Sequence, residues 1–425
     1  MTTFIAIIFI LGYAAIALEH PIRVNKAASA LITGVLCWTL YAVFSADKHI
    51  PVEFLTEHLG DVAGILFFLL GAMTIVELID AHDGFEIITQ RIQTSSKKKL
   101  VWLVAFITFI LSAVLDNLTT TIVMISLLRK LITKKEERLL FAGLVVIAAN
   151  AGGAWSPIGD VTTTMLWIGG QITTGSIIIQ TIIPSLVCLL LPAAIVSYQL
   201  NGTIEKTKSV EKNFNFTTSS RERNTVFWLG IGCLLFVPVF KTITHLPPYM
   251  GILLGLGLMW IITEIIHSGK DEEEKGLLSV NHALRKVDTP SVLFFLGILV
   301  SIAALQATGI LTTAAVWMDE KIGNINMITI CIGLLSAVVD NVPLVAAAQG
   351  MYSMELFPTD HYFWKFLAYC AGTGGSSLII GSAAGVAAMG LEKIEFFWYL
   401  KKITWLALLG YLSGAGVFIL QDMIF

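Results

Sequence analysis

Long apolar runs separated by short polar segments recur along the whole chain. Four of these runs are residues 4–18, 27–44, 62–78 and 177–196. A helix needs about 20 predominantly apolar residues to cross the hydrocarbon core of a bilayer, and the runs are close to that length. The pattern predicts an all-α integral membrane protein. Because no cationic segment precedes the first run, we expect it to be kept as a span rather than cleaved as a signal peptide.

The second half of the sequence repeats the first. Residues 111–117 (LSAVLDN) return as residues 335–341 (LSAVVDN), with six of the seven positions identical. Residues 141–159 match residues 363–381, and the offset between matching positions stays between 222 and 227. A nearly constant offset over so long a stretch indicates an internal duplication.

Each repeat is expected to contain five crossings, one of them broken, and one re-entrant helical hairpin. The first repeat covers residues 1–200, with its hairpin at 100–132 and its broken span at 139–168. The second covers residues 225–425, with its hairpin at 325–352 and its broken span at 362–391. Polar loops are predicted at 201–224, a cytoplasmic linker between the repeats, and at 268–288. The unbroken spans are predicted at 3–18, 27–45, 60–80, 176–198, 225–241, 249–267, 290–311 and 395–421.

The distribution of Lys and Arg favours inverted repeats over parallel ones. With re-entrant hairpins and an external N-terminus, 23 of the 27 cationic residues fall on cytoplasmic loops, and the exceptions are Lys48, Lys241, Lys321 and Lys365. Cytoplasmic loops of membrane proteins are enriched in Lys and Arg, so this arrangement is preferred. It predicts that both termini are periplasmic, in the inner membrane of a bacterium.

The composition excludes several classes of function. Only 13% of residues are charged, the net charge is −3 and the mean hydropathy is +0.81. Nucleic-acid binding needs a basic face, which the sequence lacks. The five cysteines lie singly in apolar runs without the spacing of a metal or redox site. We expect a protein that is not an enzyme and holds no resident cofactor.

Two Asp-Asn pairs, Asp116-Asn117 and Asp340-Asn341, are predicted to form the hairpin tips. A backbone that turns inside a bilayer is tolerated only where protein or a water-filled cavity receives its polar groups. A carboxylate at that depth supplies oxygen ligands that suit a small cation. The alternative is that these residues only cap the helices that follow.

The broken spans are predicted to form the other wall of the site. The first contains Asn150 and Asp160, and a Thr run follows that includes Thr162 and Thr163. The alternatives are a protonated packing role for Asp160 and threonine hydroxyls bonded to helix carbonyls. The second break carries hydroxyls instead, among them Ser376 and Ser377. Because the first half holds more charge, Na⁺ is predicted to bind at Asp116, Asn117, Asn150 and Asp160.

Five further polar residues are candidate ligands or relays: Ser112, Ser336, Ser156, Thr373 and Glu77. Ser112 and Ser336 lie four residues before the two tip carboxylates, so they share a helical face with them. Glu77 lies about one turn from the cytoplasmic end of its span. It is either a proton relay or a side chain that reaches to the interface.

The paired tips and the stretch NAGGAWSPIGDVTT at 150–163 resemble the NhaD-type sodium/proton antiporters of the ion transporter superfamily. The resemblance covers essentially the whole chain. It implies a homodimer with a scaffold domain and a transport domain that moves as an elevator, and exchange of Na⁺ or Li⁺ for protons by alternating access. Arsenite or organic-anion transport of the same superfamily is the alternative. An intramembrane aspartyl protease is a remote one, because Pro157 replaces the first Gly of a Gly-x-Gly-Asp signature.

Overall fold

The computed structural model describes residues 1–89, 94, 96–200, 202–203, 218–338 and 340–424. Over these ranges the chain is helical, and its one β contact is an isolated bridge between Ser96 and Thr203. Nine of the described helices are long and apolar enough to cross a membrane. The predicted all-α membrane fold is confirmed.

The first half contributes ten helices. They are α1 (Thr2–Ala17), α2 (Glu19–Ile22), α3 (Lys26–Phe44), α4 (His49–Ala81), α5 (Glu86–Thr89), α6 (Lys97–Leu115), α7 (Asn117–Leu131), α8 (Lys135–Ala154), α9 (Val161–Ile168) and α10 (Thr174–Gln199).

The second half contributes twelve α-helices among its described residues. They are α11 (Ser220–Thr244), α12 (Pro248–Ile266), α13 (Glu272–Leu277), α14 (Val280–Lys286), α15 (Thr289–Ala307), α16 (Ile310–Lys321), α17 (Ile325–Leu335), α18 (Asn341–Met351), α19 (Tyr362–Gly374), α20 (Ala383–Glu392), α21 (Phe396–Lys402) and α22 (Thr404–Ile424). A short 3₁₀ turn, Gly375–Ser377, follows α19.

Two helix pairs and two helix interruptions lie where the sequence predicts the hairpins and the breaks. Helices α6 and α7 meet at Asp116, and α17 and α18 are separated by residues 336–340. Helices α8 and α9 are interrupted over residues 155–160, and α19 and α20 over residues 375–382. Gly and Pro in the first interruption cannot continue a regular helix, which is the reason the sequence signals the break.

The structure differs from the predicted boundaries in several places. The predicted span 395–421 is divided into α21 and α22, and α16 lies between the predicted span 290–311 and the predicted hairpin 325–352. Helix α4 begins at His49 rather than near residue 60, because residues 49–59, in which polar and apolar side chains alternate irregularly, continue the helix before its long apolar part. The loop 268–288 holds the short helices α13 and α14. The linker is shorter than 201–224, because Ser219 and Glu222 form a capping box that starts α11 at Ser220. Residues 201 and 204–217 of the linker lie outside the described ranges.

The helices pack as two bundles, each around its own buried apolar cluster. In one, α3 packs against α1 and α15, and α4 against α12. In the other, α6 packs against α8 and α10 against α22. Helix α19 packs against α17 and contributes to both clusters. The hairpins and breaks lie at the junction, since α9 and α18 contribute to the first cluster and α7 and α20 to the second.

The duplication is visible in the packing of hairpin against break. Ser112 Oγ donates to the Ala149 carbonyl at 2.5 Å, and Ser336 Oγ contacts the matching Ala371 carbonyl at 3.3 Å. A Cβ on Gly159 would lie 2.6 Å from the Ser112 carbonyl oxygen, and one on Gly381 would lie 2.5 Å from the Ala337 carbonyl oxygen. Each break therefore contacts its hairpin through bare backbone, which only glycine allows.

A buried histidine pair joins the ends of α4 and α12. His82 Nε2 lies 2.7 Å from His267 Nε2, and His82 Nδ1 lies 2.6 Å from the Leu78 carbonyl oxygen. The carbonyl accepts, so His82 Nδ1 carries the proton and His82 Nε2 accepts from His267. This leaves His267 Nδ1 without a proton, and among the described residues it has no hydrogen-bond partner. The contact requires that at least one of the two facing Nε2 atoms lack a proton, so the two rings cannot both be charged.

Protonation of this pair is expected to destabilise the fold. Burial lowers the pKa of His82 from 6.5 to about 4, so the unfolded chain binds the proton first as the pH falls. Stability is complete above about pH 6.5 and declines toward about pH 4. The thermal unfolding midpoint of the purified protein, measured across this range, tests the slope.

His82→Gln should flatten that slope, whereas His245→Gln, a change at an exposed histidine, should leave it intact. An unchanged slope in His82→Gln would show that other groups cause the pH dependence.

Candidate functional site

A cavity of about 80 Å³ lies at the junction of the two bundles. It is lined by both hairpin tips and by the break of the first half, and its polar lining includes Lys26, Asp116, Asn117, Asp160, Asp340 and Asn341. The space is large enough for a small ion with a few waters. Three carboxylates predicted from the sequence therefore share one small cavity.

Asp116 forms the tip of the first hairpin in an unusual backbone conformation. Its φ of 106° and ψ of 163° lie in a region that side chains disfavour, at a cost of about 1–3 kcal/mol. The carboxylate accepts from the Thr119 amide at 2.7 Å and from the Thr119 hydroxyl at 2.9 Å. These bonds hold the residue as the cap of α7. The strain is typical of a position fixed by function rather than by local stability.

Asp160 is buried and lies at the centre of a hydrogen-bonded network. One carboxylate oxygen accepts from the Thr162 amide at 2.9 Å and from the Thr162 hydroxyl at 2.7 Å. The other accepts from Asn117 Nδ2 at 2.7 Å, and the same Asn117 nitrogen contacts Asn150 Oδ1 at 3.1 Å. Four residues predicted from two separate motifs are thereby brought into direct contact.

The network continues into the second half. Asn150 Nδ2 donates to Ser382 Oγ at 2.9 Å, and that oxygen also accepts from the Gly385 amide at the start of α20. Ser382 is the sequence counterpart of Asp160, yet the sequence prediction did not include it in the site. The repeat offset was the signal that could have found it.

Four helices begin at this junction, and each has an acceptor side chain as its cap. Asp116, Asp160, Asp340 and Ser382 cap α7, α9, α18 and α20. Three of these caps also line the cavity. The capping and ion-binding interpretations of the Asp residues are therefore compatible, since one carboxylate does both.

Asp340 differs from the other two carboxylates because it has a cationic partner. Lys26 Nζ lies 3.2 Å from Asp340 Oδ2. The sequence prediction counted Lys26 as a loop cation, because nothing local connects it to a residue 314 positions away. Asn341, beside Asp340, lines the cavity as predicted.

The other predicted ligands do not line this cavity. The hydroxyls of Ser112, Ser336, Ser156, Thr373 and Ser376 donate to backbone carbonyls. Thr163 and Ser377 are buried, and their hydroxyls have no hydrogen-bond partner among the described residues. The hydroxyls that donate to carbonyls thus have a structural role, the alternative considered above for the threonines. The hydroxyl oxygens of Thr163 and Ser377 remain available as acceptors among the described residues.

The site cavity adjoins a second, larger cavity. A cavity of about 590 Å³ shares Lys26, Leu118 and Ser291 with the first and extends to Glu77 and Lys286. A cavity of about 340 Å³, lined by His58 and Asp61 among others, shares no lining residue with the site. The site cavity therefore adjoins a cavity on the side of Lys286, in a loop predicted to be cytoplasmic. Glu77 lines this second cavity, a position that fits both a proton relay and a side chain that reaches to the interface.

The sequence matches the citrate transporter (CitMHS) family over residues 6–369. It is 50% identical over 416 residues to "Sodium/proton antiporter 1" of Arabidopsis thaliana, which covers 97% of this chain and 71% of that protein. The chain belongs to this transporter family, within its sodium/proton antiporter branch.

Bacterial members of the branch are also similar. The "Na(+)/H(+) antiporter NhaD" of Vibrio parahaemolyticus is 30% identical over 407 residues, covering 89% of this chain and 95% of that protein. Among solved structures, the YdaH transporter of Alcanivorax borkumensis has a TM-score of 0.56 at 14% identity, covering 93% of this chain and 97% of that one. The likeness to the YdaH transporter concerns the fold alone. Together these matches describe a multi-pass membrane transporter.

Removal of the Asn117 amide should destabilise the protein by about 1–3 kcal/mol, because it leaves a buried Asp160 oxygen without its donor. Asn117→Ala should lower the thermal unfolding midpoint accordingly. Asn326→Ala is the matched control, because the Asn326 side-chain oxygen has no partner among the described residues. Equal midpoints for the two variants would contradict the network.

Proposed function

We propose that this protein is a secondary active transporter that exchanges Na⁺, or Li⁺, for protons by alternating access. The observation that carries the proposal is the convergence of Asp116, Asp160 and Asp340 on one small cavity. Its relatives from Arabidopsis and Vibrio, which are named as sodium/proton antiporters, support it.

The chemistry of exchange follows from the charge of the site. Carboxylate and amide oxygens from Asp116, Asn117, Asn150 and Asp160 are ligands that suit a small hard cation. A proton neutralises the same carboxylates, so the two ions compete. A site that carries uncompensated charge is costly to move through a low-dielectric layer. Only the ion-loaded or protonated site can change its exposure, and this requirement couples the two fluxes.

Citrate is the second candidate, because the matching family carries that name. Helix N-termini bind anions well, and four of them face this junction. Here three of those termini already carry their own carboxylate, so the anion is built into the protein. A citrate molecule would meet three aspartates and one lysine, Lys26. The resulting repulsion favours a cation as the substrate.

We further propose the assembly and placement that the family resemblance and the charge pattern imply. The protein is a homodimer in a bacterial inner membrane, with both termini periplasmic and inverted repeats. The bundle of α3, α4, α12 and α15 is the scaffold, and the bundle of α6, α8, α10 and α22 moves as an elevator. The protein is not an enzyme and has no resident cofactor, since its ions are substrates. The two-bundle packing and the hairpin junction between the bundles support this division.

Exchange is tested with purified protein in liposomes that contain a pH-sensitive dye. Addition of Na⁺ or Li⁺ should drive proton movement, whereas K⁺, citrate and arsenite should not. Asp116→Asn and Asp160→Asn should each abolish the Na⁺ response, because a neutral amide cannot exchange a proton for a cation. Asp360→Asn is the matched control, since the Asp360 carboxylate accepts from the amide and hydroxyl of Thr173, the cap of α10, and lies outside the cavity.

Proton movement driven by citrate or arsenite, or unchanged Na⁺ exchange in Asp160→Asn, would contradict the assignment. Loss of exchange in Asp360→Asn as well would show that the Asp→Asn change is generally damaging.

A further inference from the structure

Lys26 is the one cationic side chain among the described residues that line the site cavity. Its Nζ lies 3.2 Å from Asp340 Oδ2 and 4.4 Å from the centroid of the Phe294 ring. The side chains of Lys26 and Asp340 keep 29% and 21% of their surface accessible. The ion pair therefore belongs to the cavity wall and not to the packed interior.

Helix stability does not explain the position of this lysine. Lys26 is the first residue of α3, where the helix dipole is positive and a cation is unfavourable. A partly accessible ion pair also adds little net stability, because both groups lose hydration to form it. The Phe294 ring face favours a cation at the same point. The position is therefore better explained by the electrostatics of the cavity than by those of α3.

The pair divides the carboxylates of the cavity into two classes. Asp340 has a cationic partner on α3, whereas Asp116 and Asp160 accept hydrogen bonds, within the described part of the chain, from the neutral donors Thr119, Thr162 and Asn117. Two negative charges therefore remain for exchangeable ions. This division agrees with the prediction that Na⁺ binds to residues of the first half of the chain.

We propose that Lys26 is a built-in cation of the transport site, which neutralises Asp340 and thereby sets the affinity of Asp116 and Asp160 for the transported cation. The inference rests on the proposed function and deepens it. Lys26 is a specificity-determining residue in this account, because it reduces the negative potential that an entering cation meets. Unit charges within one partly hydrated cavity interact by more than thermal energy, so the effect is measurable.

The test is a charge-compensation cycle read by Na⁺ binding at equilibrium. The measured quantity is the Na⁺ concentration that gives half of the maximal thermal stabilisation of the purified protein, with choline chloride holding the ionic strength constant. Lys26→Met adds net negative charge to the cavity and should lower this concentration about tenfold. Asp340→Asn adds net positive charge and should raise it about tenfold. The double variant restores the wild-type charge and should return to within about threefold of the wild-type value.

Two variants separate charge from packing. Lys26→Arg keeps the charge and should resemble the wild type. If Lys26→Met does not fold, Lys26→Gln takes its place and should show the same tenfold decrease. Shifts of the two single variants in the same direction would overturn the inference, because loss of a merely structural pair has the same effect from either side. A double variant worse than either single variant would also overturn it, because the two charges would then not compensate each other.

The outcomes for the wild type distinguish this inference from the proposed function. If Na⁺ stabilises the wild type but the opposite shifts are absent, only the role of Lys26 is wrong. If Na⁺ gives no stabilisation beyond choline, both are wrong.

Discussion

Backbone groups released at two hairpin tips and two helix breaks must find partners away from lipid, and the rest of the structure follows from that constraint. Bare glycine backbone lets each break lie against its hairpin, as at Gly159 and Gly381. The helices that restart there expose amide groups, and Asp116, Asp160, Asp340 and Ser382 accept from them. The caps that satisfy the backbone are the same groups that give the cavity its charge. Fold and ion chemistry therefore depend on the same side chains.

The identity of the capping residue distinguishes cation from anion chemistry in such a junction. A helix N-terminus attracts anions, so a neutral cap such as Ser382 leaves that attraction available to a ligand. A carboxylate cap cancels it and adds a negative charge. Three of the four caps are carboxylates, and their negative charge favours a cation at the junction. Lys26 neutralises part of this negative charge. Asp116 retains a strained backbone within this arrangement, which indicates that the carboxylate is needed at that point.

Much of the architecture could be predicted from the sequence because its signals are local. The apolar runs gave the helices, the offset between LSAVLDN and LSAVVDN gave the duplication, and Gly-Pro interruptions gave the breaks. The contact of Asn117 with Asp160 was reached by treating both motifs as walls of one site.

Pairs between distant segments could not be predicted in this way. Lys26 and Asp340 are 314 positions apart, and no periodicity connects them. The repeat offset marks Ser382 as the counterpart of Asp160, but it does not indicate the bond between Ser382 and Asn150, 232 positions away. Hydroxyl roles were also ambiguous, since Ser112 and Ser376 bond to carbonyls while Thr163 and Ser377 find no described partner.

Direct competition between Na⁺ and protons for the Asp116–Asp160 site is the central claim. The most direct measurement is a titration of the purified protein with NaCl in weakly buffered solution, with the released protons counted between about pH 5 and pH 8. Each Na⁺ that binds should release protons, the number should fall as the pH rises, and KCl should release none. Na⁺ binding with no proton release at any pH in this range would contradict the account.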